Sequence, residues 1–159
     1  MTKLIALLRH GEAEYGQSQH RDFSRNLSAS GKSKLKRLSN VLKERGLHFD
    51  AVVSSSAART RQTTEIMLNG IEAEETTFLD SLYLADVQTI IDFFGNLPEK
   101  YCKVLFVGHN PSISAFLSYV TGEYHMSLQP GMMTMVDFEV DSWEIAINRG
   151  MGNLTEVLQ

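Results

Sequence analysis

A three-layer α/β/α sandwich with a mostly parallel central sheet is the fold that this sequence predicts, on three observations. Leu4 to Leu8, Ala51 to Val53 and Val104 to Val107 are short, nearly continuous apolar runs, the pattern of strands covered on both faces. The segments between them carry apolar residues at helical spacing. From Thr134 the chain returns to strand-like patterning, which predicts an antiparallel C-terminal addition.

The elements follow in order. After the first run, Leu35, Leu38 and Leu42 keep a helical period behind Ser28, a suitable cap, and Gly46 after Arg45 is a suitable stop. The second run ends in Ser54-Ser55-Ser56 and leads into a helix carrying Arg59, Gln62 and Thr63. Spacings of three and four put those three on one face, while Arg61 points elsewhere. Val87, Ile90, Ile91 and Phe94 repeat the period behind Asp86. Ile113, Phe116, Leu117 and Val120 repeat it behind Asn110, read as the N-cap, with Pro111 at the first helical position. Thr134 to Phe138 and Trp143 to Ile147 read as two strands joined through Val140-Asp141-Ser142. This order of strand, helix, strand, helix, helix, strand, helix is that of a covered parallel sheet.

A length of 159 residues suits one domain over 1–159 with a proper core. The net charge of −4 and pI near 5.7 lack the basic face that nucleic acid demands. Cys102 is the lone cysteine, which excludes an intrachain disulfide and a cysteine-rich zinc site. Leu4 to Leu8 is too short for the apolar core of a signal peptide or for a membrane span. A soluble, unprocessed, cytoplasmic monomer is the expectation, with no membrane or nucleic-acid partner.

Four segments carry the chemistry: Arg9-His10-Gly11, Arg25, the stretch from Ser54 to Thr63 with Arg59, and Gly108-His109-Asn110-Pro111. In parallel sheets, ligands gather beyond the carboxyl ends of the strands. His10 follows the first strand and His109 a later one, so both are expected on one rim. Neutral imidazole is a nucleophile near physiological pH, and arginine offers planar forks that match phosphate oxygens. The helix start before Arg59 adds a favourable end for an anion. The combination predicts phosphoryl transfer onto imidazole, with charge supplied by side chains and with no metal or other cofactor. A metal held by His10 and His109 is disfavoured, since no third ligand stands at a convincing spacing and the guanidinium groups would repel a cation.

Arg9-His10-Gly11 resembles the signature of the histidine phosphatase superfamily, also called phosphoglycerate-mutase-like, and the chain is most similar to its small SixA-type phosphohistidine phosphatases. Arg25-Asn26-Leu27-Ser28-Ala29-Ser30-Gly31 resembles that group's Arg-Pro-Leu-Ser/Thr-x-x-Gly, with Asn26 in place of proline. Ser54 to Thr63 resembles Ser-Ser-Pro-x-x-Arg-x-x-Gln-Thr, with Ser56 in place of proline, and Gly108-His109-Asn110-Pro111 matches outright. The resemblance runs from Leu4 through Trp143. It implies His10 as nucleophile, Arg9, Arg25 and Arg59 as phosphate ligands, and His109 as a further donor. Neither proline replacement touches a phosphate-binding side chain.

Members of the superfamily that hydrolyse alkyl phosphates place a carboxylate between the second arginine motif and the second histidine motif. Here Asp80 has the best position, with a side chain shorter than the usual glutamate, and Glu12 and Glu14 are other possibilities, whereas SixA-type members often lack a convincing acid. An imidazole leaving group has a pKa of about 6.5 and needs less help in departing than an alcohol. Weak acid equipment therefore favours phosphohistidine in a protein, such as a histidine phosphotransfer domain or a phosphotransferase-system carrier. The rival readings are a small-molecule phosphomonoesterase of the same superfamily and a non-catalytic phosphoprotein-binding module. Lys32, Lys34, Lys36 and Arg37 read as a solvated helix face, and Met132, Met133 and Met135 as core filling. His20, His48 and His125 belong to no motif.

Overall fold

The computed structural model describes residues 2–15, 21–124 and 127–159. His20 and His125 lie outside the described residues. Six strands of the described residues form one sheet: β1 (Lys3–Arg9), β2 (His48–Ser55), β3 (Glu72–Leu79), β4 (Lys103–Gly108), β5 (Met133–Phe138) and β6 (Gly152–Leu158). Among the described residues five α-helices accompany them: α1 (Ala29–Arg45), α2 (Ala58–Met67), α3 (Val87–Gly95), α4 (Ser112–Thr121) and α5 (Trp143–Ala146). The strand order is β3-β2-β4-β1-β5-β6. The first four in that order run parallel, while β5 is antiparallel to both β1 and β6.

The period of two along each strand divides the core between two faces. Ile5, Leu7, Val53, Val104 and Phe106 join α3, α4 and α5 in one cluster with Phe94, Phe116 and Trp143. Ala6, Leu8, Val52, Leu105 and Val107 meet Leu35, Leu38, Leu42 and Met67 from α1 and α2 on the other face. This is the three-layer sandwich expected. Met132 enters the first cluster, and Met133 and Met135 the second.

The caps of α1 and α3 act as their sequences predict. Ser28 Oγ accepts from Gly31 N, Gly46 closes α1 at φ 65°, and the Asp86 side chain accepts from Thr89 N. Lys32, Lys34, Lys36 and Arg37 are exposed. Gly31 has a second duty, because a Cβ there would lie 2.3 Å from the Glu12 carbonyl oxygen. The segment after His10 thus crosses α1 at a point that only glycine permits.

Three expectations are corrected. Trp143 to Ile147 is no strand: Trp143–Ala146 is a short helix. Its aromatic and branched residues look strand-like, but the indole is fully buried against Phe94 at 5.7 Å between ring centroids, and its Nε1–H donates to the Tyr101 carbonyl at 2.8 Å. The second strand of the antiparallel addition is instead β6, whose burial alternates. Strand β3 was not expected, since its Glu72-Ala73-Glu74-Glu75-Thr76-Thr77 is largely exposed at the sheet edge and lacks an apolar run; charge is how natural edges avoid further pairing. Finally, α4 begins at Ser112 with Pro111 as its cap residue, because the Asn110 side chain is engaged by Leu128 and Ser114.

Candidate active site

The order β2-β4-β1 brings three loops side by side at the carboxyl end of the parallel strands. Arg9 and Gly108 are register partners at the ends of β1 and β4. The next residue on each strand is a histidine. His10 N donates to the Gly108 carbonyl at 3.2 Å, and the His10 and His109 rings lie 5.3 Å apart, tilted at 58°. Both are nearly buried, at 7% and 9% exposure.

His10 is held by a 2.7 Å contact from Nδ1 to the Gly11 carbonyl. A carbonyl oxygen only accepts, so Nδ1 carries the proton and Nε2 keeps its lone pair. Burial, assisted by Arg59, Arg9 and Arg25, lowers the His10 pKa to about 4, against the opposing pull of that carbonyl contact. The ring is therefore neutral at physiological pH. His109 is lowered to about 3, first by burial and then by Arg59 and His10. Its Nε2 lies 2.8 Å from Ser55 Oγ, while Nδ1 is buried with no hydrogen-bond partner among the described residues.

The three arginines reach the histidines from three elements. Arg9 Nη1 donates to the Leu128 carbonyl at 2.9 Å. Asn110 Nδ2 donates to the same carbonyl at 3.0 Å, and its Oδ1 accepts from Ser114 Oγ, which in turn accepts from Leu128 N. Asn110 thus ties the loop after His109 to the segment that steadies Arg9, which is why it does not cap α4. Arg59, 7% exposed, projects from the first turn of α2. Arg25 sits in the loop before α1 and is half-buried. The Nε atoms of all three are buried without a hydrogen-bond partner among the described residues. A cluster of unpaired N–H donors and permanent positive charge is suited to a phosphate-like anion.

Gln62 and Thr63 lie on the Arg59 side of α2 but serve the scaffold. Gln62 Oε1 accepts from Leu27 N at 2.8 Å and its Nε2 donates to Asn26 Oδ1, holding the Arg25 loop. Thr63 Oγ1 accepts from Gly11 N at 3.1 Å, holding the residue beside His10. Arg61 points away, with its guanidinium 4.0 Å over the Phe78 ring.

Asp80 opens a short 3-10 turn after β3 on the same rim. Its Oδ1 accepts from Ser56 Oγ, so it reaches the site through the serine loop rather than through either histidine. Glu12 is turned toward α1, where its Oε1 accepts from Ser28 Oγ at 2.8 Å, and Glu14 is exposed. Two residues outside the expected set belong to the site. Asp22 receives two hydrogen bonds from Arg59, and the Tyr83 ring lies edge-on to His109 at 5.7 Å. Asp22 stands three residues before Arg25 and its carbonyl accepts from Arg25 N, a turn spacing visible in the sequence; Tyr83 offered no comparable signal.

His48, Asp50 and Glu74 are the grouping with ligand atoms close enough to suit a cation among the described residues. They lie on β2 and β3 near the starts of these strands, the opposite end of the sheet from His10. One Asp50 oxygen already accepts from two backbone N–H groups. No helix of the described residues is long and apolar enough to cross a membrane.

Comparison with known proteins points the same way. The model of the histidine phosphatase superfamily (branch 1) matches residues 5–90. The structure is similar to one assigned as the phosphohistidine phosphatase SixA of Agrobacterium tumefaciens, with TM-score 0.82 and 25% identity over 99% of this chain and 98% of the other. A protein histidine phosphatase SixA complexed with tungstate shares the fold, with TM-score 0.82 and 21% identity over 98% and 96% of the two chains. A broad-specificity phosphatase of Saccharomyces cerevisiae is 38% identical over 74 residues, which are 44% of this chain and 31% of that one. The aligned part spans about a third of that yeast relative's length.

Proposed function

The chain belongs to the histidine phosphatase superfamily (branch 1), and on that premise we propose that it is a phosphatase acting through a phosphohistidine on His10, with phosphohistidine in a protein as its substrate. The observation that carries this reading is the 2.7 Å contact of His10 Nδ1 with the Gly11 carbonyl. It presents Nε2 as a neutral nucleophile on a ring whose basicity is lowered first by burial and then by the three arginines.

Transfer forms a bond from His10 Nε2 to phosphorus as the bond to the leaving group breaks. The leaving nitrogen or oxygen keeps the electron pair and takes up a proton. Water then attacks the phosphorus, the Nε2 bond breaks, and phosphate leaves with His10 neutral again. Negative charge on the transferring phosphoryl oxygens is met by Arg9, Arg25, Arg59 and His109. Fixed donors of this kind need no reorganisation as the reaction proceeds. This charge does the work that a cation would otherwise do, so the reading requires no metal. Asp80, exposed and bound to Ser56, is the proposed acid for leaving groups that need a proton.

Phosphohistidine is favoured because its imidazole departs as a weak base of pKa about 6.5, whereas an alcohol needs a positioned acid. The near-complete mutual coverage with the Agrobacterium tumefaciens SixA structure supports the same class. A histidine phosphotransfer domain or a phosphotransferase-system carrier is the partner this implies. The similarity to the yeast broad-specificity phosphatase supports a second reading, a small-molecule phosphomonoesterase. The test is the ratio of kcat/KM on a phosphohistidine protein to that on sugar phosphates. A ratio far above one is expected, and preference for the sugar phosphates would favour the second reading. Binding of phosphoprotein without turnover or label on His10 would leave a binding module instead.

A further inference from the structure

Asp22 is unused by the phosphoryl-transfer scheme, yet it lies in the middle of the arginine group. Its backbone carbonyl accepts from Arg59 Nη1 at 2.8 Å, and its Oδ2 accepts from Arg59 Nη2 at 3.1 Å. Oδ1 lies 3.6 Å from Arg25 Nη1. The Tyr83 hydroxyl donates to Oδ2, and the Tyr83 ring is packed by Phe23 at 4.9 Å and meets His109 at 5.7 Å. One carboxylate therefore joins two arginines to a phenol that lies against the second histidine.

The chemistry of these contacts limits what Asp22 can do. The Tyr83 hydroxyl foremost, and then Arg59, hold its carboxyl below the usual carboxylate range, against the opposing effect of burial. It is a fixed negative charge at working pH and a poor proton donor. A guanidinium has five N–H donors. Asp22 takes one from each Nη of Arg59, which leaves the Nε–H and a second N–H on each Nη for another anion. The contact thus orients the fork without consuming it. The charge has a second effect. Three uncompensated guanidinium groups would bind substrate and product phosphate strongly alike, and uniform binding does not raise kcat.

We propose that Asp22 is a positioning residue and the resident counter-ion of the phosphate site, aiming Arg59 and Arg25 before substrate arrives and weakening their hold on the phosphate product. The proposal rests on the phosphatase reading for its kinetic part and on anion binding alone for the rest.

The test combines calorimetric titration of inorganic phosphate, which needs no turnover, with kcat and KM on a phosphohistidine protein. The proteins compared are wild type, Asp22→Asn and Tyr83→Phe, each checked for folding by circular dichroism. Asp22→Asn keeps the shape but loses the charge, and should bind phosphate about tenfold more tightly, since a unit charge a few ångströms from an anion has at least this effect near a protein surface. Its kcat should fall by about tenfold. Tyr83→Phe keeps the charge but frees the carboxylate, so phosphate affinity should stay within about twofold while kcat falls. A residue with a merely structural role would weaken binding and rate together. Unchanged or weaker phosphate binding in folded Asp22→Asn overturns the counter-ion role. Wild-type kcat in Tyr83→Phe overturns the positioning role, and does so even if Asp22→Asn fails to fold. Phosphate binding without turnover of any substrate in the wild type would defeat the phosphatase reading while the two affinities still decide the charge effect.

Discussion

His10 and His109 face one another at 5.3 Å because they extend two adjacent parallel strands in register, Arg9 beside Gly108. The pairing of β1 with β4 thus sets the spacing of the two rings. His10→Ala should abolish turnover and phosphoryl labelling while leaving the fold intact, since a residue just beyond a strand end contributes little to either core cluster. The label on the wild type should be labile in acid and persist in alkali. A wild-type rate in the variant would remove His10 as nucleophile.

Acid should weaken the protein in a defined window. The unfolded imidazoles take up protons near pH 6.5, whereas folded His10 resists protonation down to about 4 and His109 to about 3. Between these values the unfolded state binds more protons, so the stability is full above pH 6.5 and is lost as the pH falls toward 4 for His10 and toward 3 for His109. For His10 alone the loss at pH 5 is about 2 kcal/mol, at 1.36 kcal/mol per pKa unit. Urea unfolding at pH 7 and pH 5 should show a smaller pH difference in His10→Asn than in wild type. Equal differences would contradict the buried neutral ring.

Arg59 should resist replacement even by lysine. Loss of the guanidinium in Arg59→Ala should cost about 10²-fold or more in kcat/KM, the scale of a preorganised donor to developing charge. Arg59→Lys should recover little, because a single ammonium cannot make the forked contacts. Tungstate or vanadate affinity should fall in both, and the wild-type rate should survive a chelator. Complete loss in chelator with recovery on adding zinc or magnesium would overturn the metal-free scheme.

Replacement of Asp80 should separate leaving groups. Asp80→Asn should slow hydrolysis of an alkyl phosphate by about 10²-fold, the usual share of positioned proton transfer, and that of phosphohistidine much less. His10 labelling should be measured apart from dephosphorylation. Equal losses on both substrates in the labelling step would make Asp80 a structural partner of Ser56, and no loss on either would remove it from the site.

Gly31 links helix packing to the site. Alanine inside a helix ordinarily stabilises by about 1 kcal/mol relative to glycine. Here the added Cβ would press on the Glu12 backbone at 2.3 Å, and backbone crowding of this kind costs about 1–3 kcal/mol. Gly31→Ala should therefore lower the unfolding midpoint and reduce kcat by displacing the loop after His10. A stabilised variant with full activity would show that the loop moves freely.

The sequence by itself determined the covered parallel sheet, the caps of α1 and α3, and the position of each histidine and arginine motif just beyond a strand or at a helix start. These features are local: apolar periodicity, capping chemistry and turn residues act over a few positions. It did not reveal β3, because an edge strand needs no apolar run, and it misread Trp143, because an aromatic segment packs equally well from a short helix. Tertiary structure alone decided that β4 lies between β2 and β1, bringing Ser55 to His109, and that Asp22 and Tyr83 brace Arg59. Strand order and side-chain bracing depend on which distant surfaces bury best together. That choice is made by the whole core at once, and no short window of residues records it.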